Sequence, residues 1–353
     1  MRPIFIGGCD RSGTTMLGAM LGAGSGNLCT PESQFIVKVH EKAALKGRGN
    51  DSAFLARALV DHWRFKIWGL DVAPEEAVSA AGKGSFRDLV EWVVGRYGEK
   101  AGRSAPEVWI DHTPWNLRYG LLLDKLFPEG KFIHIVRDGR GVASSVIPLD
   151  WGPNNVRDAA HWWLEKLSYG LAAESSLGTG RILRVHYEKL LQDPEGELQR
   201  ICAFAGIEYQ PEMCRGEFNV PGYTARQHRL VGKAPDKGRA EGWVDSLSGR
   251  EVEVFEMIAG QMLGYLGYRR RSPYLTENIS SRENRRFSLG HFFKKNLSRK
   301  FSGKKGLFPG LPGDLPKTHC SRICPVIKKK QGAGSPFSDS VLETRRSAMS
   351  CST

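Results

Sequence analysis

Four short apolar runs in this chain are typical of buried β-strands. Each is rich in β-branched or aromatic residues and is bounded by turn-forming residues: Ile4-Phe5-Ile6, Val108-Trp109-Ile110, Phe132-Ile133-His134-Ile135-Val136 and Ile182-Leu183-Arg184-Val185. The runs show little alternation of apolar and polar positions. We therefore expect a sheet that is covered on both of its faces.

Between these runs, apolar residues recur every three or four positions, which predicts amphipathic helices. One stripe extends from Phe54 to Ile67, and another follows Ser85, a residue suited to cap a helix. Further stripes cover 117–126, 159–171 and 198–205, and a capping box at Ser248-Gly-Arg-Glu251 opens a last helix that ends at Gly267. Alternating strands and helices predict an α/β fold, a P-loop-like three-layer α/β/α domain with a central parallel sheet, over residues 1–272.

The excess positive charge lies outside this predicted domain. The chain of 353 residues has a net charge of +13, but residues 273–353 contain 16 Lys and Arg against five Asp and Glu and so account for +11. Periodic apolar patterning fades in the same segment, which predicts a basic, disordered tail. Because the predicted domain itself is nearly neutral, we do not expect a nucleic-acid-binding protein.

Cysteine usage and hydropathy bear on the compartment. The seven cysteines are scattered, give no disulfide framework and include no pair of Cys-x-x-Cys motifs that would hold a metal. The N-terminal apolar run is too short for a signal peptide, and no stretch reaches the roughly 18 apolar residues that a membrane span needs. These features predict a cytoplasmic protein.

The first predicted strand leads into a glycine-rich loop followed by a predicted helix. The loop, Gly8-Cys-Asp-Arg-Ser-Gly-Thr-Thr15, has the G-x4-G frame of a phosphate-binding loop, in which backbone N–H groups and a helix N-terminus hold an anion. Thr14 occupies the position of the lysine that clamps the phosphates of ATP or GTP. The loop instead offers an arginine and hydroxyl groups: Arg11, Ser12, Thr14 and Thr15. The simpler alternative is a turn that only closes a strand–helix corner.

A second candidate anion site follows the third predicted strand. Here Val136 is followed by Arg137-Asp-Gly-Arg, with Ser145 eight residues after Arg137. Ligands of open α/β sheets bind at the carboxyl ends of the strands, so Arg11 and Arg137 should project from one edge. Two anion sites on one edge suggest a ligand phosphorylated at two places, unless Arg137 merely pairs with a surface carboxylate.

The two motifs together resemble those of the sulfotransferases that use 3′-phosphoadenosine 5′-phosphosulfate (PAPS), and the tyrosylprotein type and its bacterial relatives in particular. Asp10-Arg-Ser-Gly-Thr-Thr-Met-Leu17 is similar to their 5′-phosphosulfate loop, and Phe132 to Ser145 to their 3′-phosphate motif. The resemblance extends over about residues 3–268. It implies that Arg11, Ser12, Gly13, Thr14, Thr15, Arg137, Ser145 and Tyr187 bind the nucleotide.

The same resemblance implies the catalytic residues. In these relatives the loop arginine works with a glutamate further along the chain, and Glu32 stands at the corresponding spacing after Arg11. Glu32 would act as the general base toward the acceptor. Relatives often carry a lysine where this chain has His112, so His112 would occupy the position of a charge-neutralising group whose own charge depends on pH.

The implied reaction is in-line transfer of a sulfuryl group from PAPS to a hydroxyl or amine, with PAP as product and no metal. The acceptor is left open among a peptide tyrosine, a glycan, a lipid and a small molecule, and a homodimer is also left open. Two alternatives to this function remain. One is a P-loop nucleotide or small-molecule kinase, and the other is a non-catalytic scaffold whose basic tail binds an anionic membrane surface.

Overall fold

The computed structural model describes residues 1–82, 84–215, 237–272 and 278–289. In this part of the chain five parallel strands form one sheet in the order β2-β3-β1-β4-β5. The strands are β1 (Arg2–Gly8), β2 (Asn27–Thr30), β3 (Val108–Asp111), β4 (Lys131–Val136) and β5 (Ile182–His186). The predicted α/β class and its central parallel sheet are therefore confirmed.

The sheet contains one strand that the hydrophobic pattern does not predict. β2 has only four residues, two of them polar, yet all four are buried and pair in register with β3 from Asn27 beside Val108 to Thr30 beside Asp111. So short a segment has no periodicity of its own. Its strand conformation depends on the edge of β3.

Helices surround the sheet on both faces. They are α1 (Thr14–Gly22), α2 (Phe35–Leu45), α3 (Ser52–Val60), α4 (Trp63–Ile67), α5 (Pro74–Ala81), α6 (Phe86–Lys100), α7 (Gly120–Leu126), α8 (Gly139–Val146), α9 (Val156–Leu177), α10 (Tyr187–Gln192), α11 (Pro194–Ala205), α12 (Trp243–Ser246) and α13 (Gly249–Tyr265). Short 3₁₀ turns cover Pro114–Tyr119, Pro211–Cys214 and Lys237–Ala240.

Successive residues of the strands contribute to two different apolar cores. Phe5 and Phe132 pack with residues of α2, α3, α5 and α6, whereas Ile4 and Ile133 pack with residues of α1, α10 and α11. Side chains of a strand point alternately to its two faces, so this division places the sheet between two helical layers. The arrangement is the predicted three-layer architecture.

Helix capping explains one difference from the predicted helices. The apolar stripe from Phe54 to Ile67 is divided into α3 and α4, because Asp51 and His62 each cap a separate helix by accepting a backbone N–H bond from Phe54 (2.8 Å) and Arg64 (3.1 Å). The predicted caps at Ser85 and Ser248 are both present, each as a complete capping box.

The C-terminal part of the described chain packs on the domain. A short helix over 281–289 contributes Phe287, which packs against the cluster around α9 and α13, and Arg250 of α13 forms an ion pair with Glu283 at 2.9 Å. Residues 278–289 thus follow the predicted boundary at 272 and still contact the domain. The predicted tail beyond 289 lies outside the described residues.

Hydropathy along the helices bears on membrane insertion. Among the helices of the described ranges, none combines the length and apolar character that crossing a bilayer requires.

A buried histidine sets a tight packing requirement inside the fold. The side chain of His134 in β4 is fully buried, its Nδ1 lies 2.7 Å from Glu174 Oε1, and its Nε2 has no hydrogen-bond partner among the described residues. The ring lies directly against Gly170 of α9, where an added Cβ would overlap Nε2.

We expect Gly170→Ala to lower the free energy of unfolding by about 1–3 kcal/mol, because a methyl group has no room beside the ring. The matched control is Gly95→Ala in α6, where an added Cβ meets no atom within 4 Å. That substitution should raise the stability by up to about 1 kcal/mol, since alanine favours a helix over glycine. Urea unfolding of both variants measures the difference, and an equal effect at the two positions would contradict the packing argument.

Candidate active site

The loop after β1 has the backbone conformation of an anion-binding turn. It spans residues 9–13, and both Arg11 (φ 70°) and Gly13 (φ 100°) adopt left-handed conformations. A Cβ at Gly13 would come within 2.6 Å of the Tyr187 ring, so only glycine fits there. The helix α1 begins directly after this turn, at Thr14, and no described side chain caps its N-terminus. Its first N–H groups can therefore donate to an anion.

The hydroxyl groups of the loop and of the first residues of α1 are buried. Ser12, Thr14 and Thr15 are all at most 7% exposed. Ser12 Oγ has no hydrogen-bond partner among the described residues, and a buried polar atom left in this state costs about 1–3 kcal/mol. An anion held by the loop would satisfy it.

The second predicted motif meets this loop. Arg11 Nε donates to Ser145 Oγ at 3.1 Å, and Arg137 Nη1 donates to the backbone oxygen of Arg11 at 2.9 Å. These residues are far apart along the chain, and they meet because β1 and β4 are neighbours that end at the same edge of the sheet. The structure thus brings the two predicted anion sites together.

Tyr187 supports both arginine-bearing segments. It is the first residue of α10 and is buried, with its ring against Gly13 and 4.5 Å from the guanidinium carbon of Arg137. Arg137 Nε is also buried without a partner in the described part of the chain. An orphaned guanidinium nitrogen beside an anion-binding loop fits a second phosphate better than a surface ion pair.

Electrostatics favour an anion between these cations. Burial, and after it the neighbouring Arg137 guanidinium, lower the pKa of Arg11. Both effects penalise the charged form of the side chain, and a bound phosphate or sulfate would offset them.

Glu32 lies in the loop between β2 and α2. Its Oε2 accepts a hydrogen bond from Gln34 Nε2 at 3.0 Å and lies 3.4 Å from Arg64 Nη2, and its backbone oxygen accepts a bond from Trp68 Nε1 at 3.3 Å. The pKa of Glu32 is raised to about 7: burial raises it most, Asp10 and Asp111 add to the rise, and Arg64 and the hydrogen bond from Gln34 oppose it. A carboxyl group with this pKa is suited to general acid–base chemistry near neutral pH.

His112 lies directly after β3 and against the first turn of α1, which follows the phosphate loop. Its side chain is 3% exposed, and its Nδ1 lies 3.5 Å from Thr15 Oγ1. His112 thus joins the predicted residues around the anion site. As to metals, the described residues contain no group of three or more His, Cys, Asp or Glu that could hold an ion.

Sequence patterns missed a buried charged network beside Arg137. Arg140 forms ion pairs with Asp138 and Glu256, both at 2.6 Å, and its guanidinium carbon lies 4.0 Å from the centroid of the Trp243 ring. Glu256 is fully buried and also accepts bonds from the backbone N–H groups of Arg271 and Ser272. One sequence feature could have revealed it: Glu256 follows Phe255 inside the apolar stripe of α13.

These features are those of a P-loop-like α/β protein, with an anion-binding loop after β1 and a second arginine directly after the neighbouring strand β4. A family model described as "Sulfotransferase family" matches residues 3–211, more than half of the chain. The protein therefore belongs to the sulfotransferase family, whose members are enzymes that transfer sulfuryl groups.

Individual relatives agree with this assignment. The chain is 28% identical over 284 residues to protein-tyrosine sulfotransferase 2 of Gallus gallus, covering 77% of this chain and 70% of the relative. It is 25% identical over 287 residues to protein-tyrosine sulfotransferase of Drosophila melanogaster, where the match covers 77% of this chain and about half of the relative's length, 52%.

A solved structure supports the fold. The sulfotransferase domain from the curacin biosynthetic pathway superposes with a TM-score of 0.52 at 19% identity, covering 76% of this chain and 99% of that domain.

Proposed function

We propose that this protein transfers the sulfuryl group of PAPS to the hydroxyl group of an acceptor, with Glu32 as general base and PAP as product. The observation that carries the donor assignment is the contact between the two anion motifs, Arg11 Nε to Ser145 Oγ and Arg137 Nη1 to Arg11 O. This contact brings Arg11 and Arg137 together at one edge of the sheet, which supports a nucleotide that carries phosphate at both the 5′ and 3′ positions. The relatives named above support a tyrosyl peptide as the first acceptor to test.

Each end of the donor would bind residues that the fold brings close together. The loop N–H groups with Arg11, Ser12, Thr14 and Thr15 would hold the 5′-phosphosulfate, and Arg137 with Ser145 the 3′-phosphate. Tyr187 packs beneath both, against Gly13 and Arg137. Preorganised donors of this kind stabilise charge that develops during transfer without rearranging at the moment of reaction.

The transfer is a displacement at sulfur. A bond forms between the acceptor oxygen and sulfur, the bond from sulfur to the bridging oxygen of the 5′-phosphate breaks, and the acceptor's proton passes to Glu32. Arg11 and the loop amides would stabilise the departing phosphate. His112, buried against Thr15 in the first turn of α1, is proposed to assist them with a hydrogen bond.

The direct test uses the full chain, PAPS labelled in the sulfuryl group, and a panel comprising a tyrosyl peptide, a glycan, a lipid and a small alcohol. Transfer of label to at least the tyrosyl peptide is expected, together with binding of PAP. Absence of both transfer and PAP binding would overturn the proposal. Tight, magnesium-dependent binding of ATP in place of PAP would favour the kinase alternative.

Arg137→Ala tests the assignment of the 3′-phosphate. We expect it to weaken PAP binding about 10- to 100-fold, the range for loss of a charge-assisted hydrogen bond, and to affect adenosine 5′-monophosphate much less. Isothermal titration of both nucleotides gives the comparison. Arg181→Ala is the control, because Arg181 lies directly before β5 and pairs with Asp124. This variant should bind both nucleotides normally. Equal weakening of the two nucleotides by Arg137→Ala would contradict the assignment.

A further inference from the structure

The contacts of the Glu32 carboxylate gather on one of its two oxygens. Oε2 receives the hydrogen bond from Gln34 at 3.0 Å and faces Arg64 Nη2 at 3.4 Å. None of the described residues is hydrogen-bonded to Oε1. The described residues therefore hold the carboxylate through Oε2, and Oε1 is the oxygen that accepts no hydrogen bond from them.

The helix α4 holds Arg64 in this position. His62 caps the helix by accepting the Arg64 N–H bond, and the Arg64 guanidinium carbon lies 4.4 Å from the centroid of the Trp63 ring. Trp68, directly after α4, donates to the backbone oxygen of Glu32. The helix α4 and the residue that follows it thus contact both the side chain and the main chain of Glu32.

The Arg64–Glu32 pair is shielded from water. The side chain of Arg64 is 16% exposed and that of Glu32 is 19% exposed. An ion pair with this exposure is screened less than one on the open surface. It can therefore fix the orientation of the Glu32 carboxylate as well as favour its ionised form.

We propose that Arg64 and Gln34 are positioning residues for the general base: they hold Oε2 of Glu32 and leave Oε1 as the atom that takes the acceptor's proton. This inference rests on the proposed role of Glu32. It adds the partners that orient the base and the oxygen at which the proton is transferred.

A distinct pH dependence follows from the groups that face Glu32. They are Asp10 in the phosphate loop, Asp111 of β3, Arg64 of α4 and the neutral Gln34 amide. Burial and the two carboxyl groups raise the pKa of Glu32, whereas Arg64 and Gln34 lower it. Removing Arg64 should therefore leave Glu32 protonated to a higher pH.

The test is the pH profile of kcat/KM for sulfuryl transfer by Arg64→Met. The acidic limb is the fall in kcat/KM on the acid side of this profile, and we expect it to move up by about one pH unit. Activity should therefore fall about fivefold at pH 7 and return to within about threefold of the unsubstituted protein at pH 9. The KM for the donor should not change. Arg64→Lys should show a smaller shift than Arg64→Met, because lysine keeps the positive charge but not the planar geometry.

Two further variants keep the test decisive. Gln34→Met should shift the limb in the same direction by a smaller amount, and it serves if Arg64→Met does not fold. Arg57→Met removes an exposed arginine of the neighbouring α3 and should leave the profile unchanged. A loss of activity that is equal at every pH, or an unshifted limb in both Arg64→Met and Gln34→Met, overturns the positioning role.

Failure of this inference can be told from failure of the proposed base. If Glu32→Gln abolishes the acidic limb while the Arg64 and Gln34 variants leave it in place, Glu32 is the base and these two residues do not position it. If Glu32→Gln keeps both activity and limb, the base assignment itself is wrong.

Discussion

Glu32→Gln is expected to lower kcat for sulfuryl transfer by about 10²- to 10⁴-fold, the usual contribution of a positioned general base. Glutamine has nearly the same shape and can still accept a hydrogen bond at its carbonyl oxygen, but it cannot take up the acceptor's proton. The hydrogen bonds and the ion pair of Glu32 go to Gln34, Arg64 and Trp68 rather than to the loop of residues 9–13, so the affinity for PAP should change little. Single-turnover transfer and PAP titration separate the two effects.

The unsubstituted protein should lose activity as the pH falls, because Glu32 must be ionised to act as a base. Because the pKa of Glu32 is raised to about 7, its neutral form persists up to that pH and only the ionised form acts as a base. The value of kcat/KM should therefore fall about tenfold for each pH unit below about 7, and Glu32→Gln should lose this dependence. Glu41→Gln is the control, because Glu41 pairs with Lys38 on α2.

The contrary result would point to another carboxyl group. If Glu32→Gln retained the acidic limb, Asp10 would be the next candidate, since burial also raises the pKa of this neighbouring side chain. Asp10→Asn would then remove the limb.

Arg140→Met is expected to lower the free energy of unfolding by about 3–5 kcal/mol, the cost of leaving buried charges without their partner. Arg140 is 3% exposed, and Asp138 and Glu256 are nearly or fully buried with it. Methionine keeps much of the side-chain length over the Trp243 ring, so the loss reports on charge rather than on packing. Urea unfolding followed by circular dichroism measures the change.

A matched pair elsewhere in the fold serves as the control. Arg181 pairs with Asp124, but their side chains are 26% and 35% exposed, so Arg181→Met should cost no more than about 1 kcal/mol. Similar losses at Arg140 and Arg181 would show that the buried network beside Arg137 stabilises the fold no more than a surface pair does.

Much of the fold was predictable because its determinants are local. The four apolar runs are strands, and the capping boxes at Ser85 and Ser248 begin helices, since a strand's apolar run and a helix cap are each defined within a few neighbouring residues. β2 and the division between α3 and α4 were not predicted. The strand is too short to show a period, and the division depends on His62 capping a helix whose apolar stripe continues past it.

The candidate site was predictable only as separate pieces. Two short motifs, each tied to a strand end, identify Arg11 and Arg137, and strands of a parallel sheet end at a common edge. The common edge predicts that Arg11 and Arg137 lie near each other, but it does not predict the hydrogen bonds that they form. The bond from Arg137 to the backbone of Arg11 and the bond from Arg11 to Ser145 follow from the packing of β4 and α8 against the loop.

The strand–loop–helix context of the phosphate loop, the second arginine motif and the concentration of positive charge in residues 273–353 can all be read from the order of residues. Each of these depends on the order of residues within a short stretch or on composition. The groups that surround Glu32 and the carboxylates that neutralise Arg140 follow only from the packing of distant segments. Arg64 and Glu32 belong to separate elements, as do Glu256 and Arg140, so no local pattern connects the members of either pair. Their approach results from burying α4 and α13 against the domain, and burial also makes these charges consequential, because a low-dielectric interior strengthens their interactions.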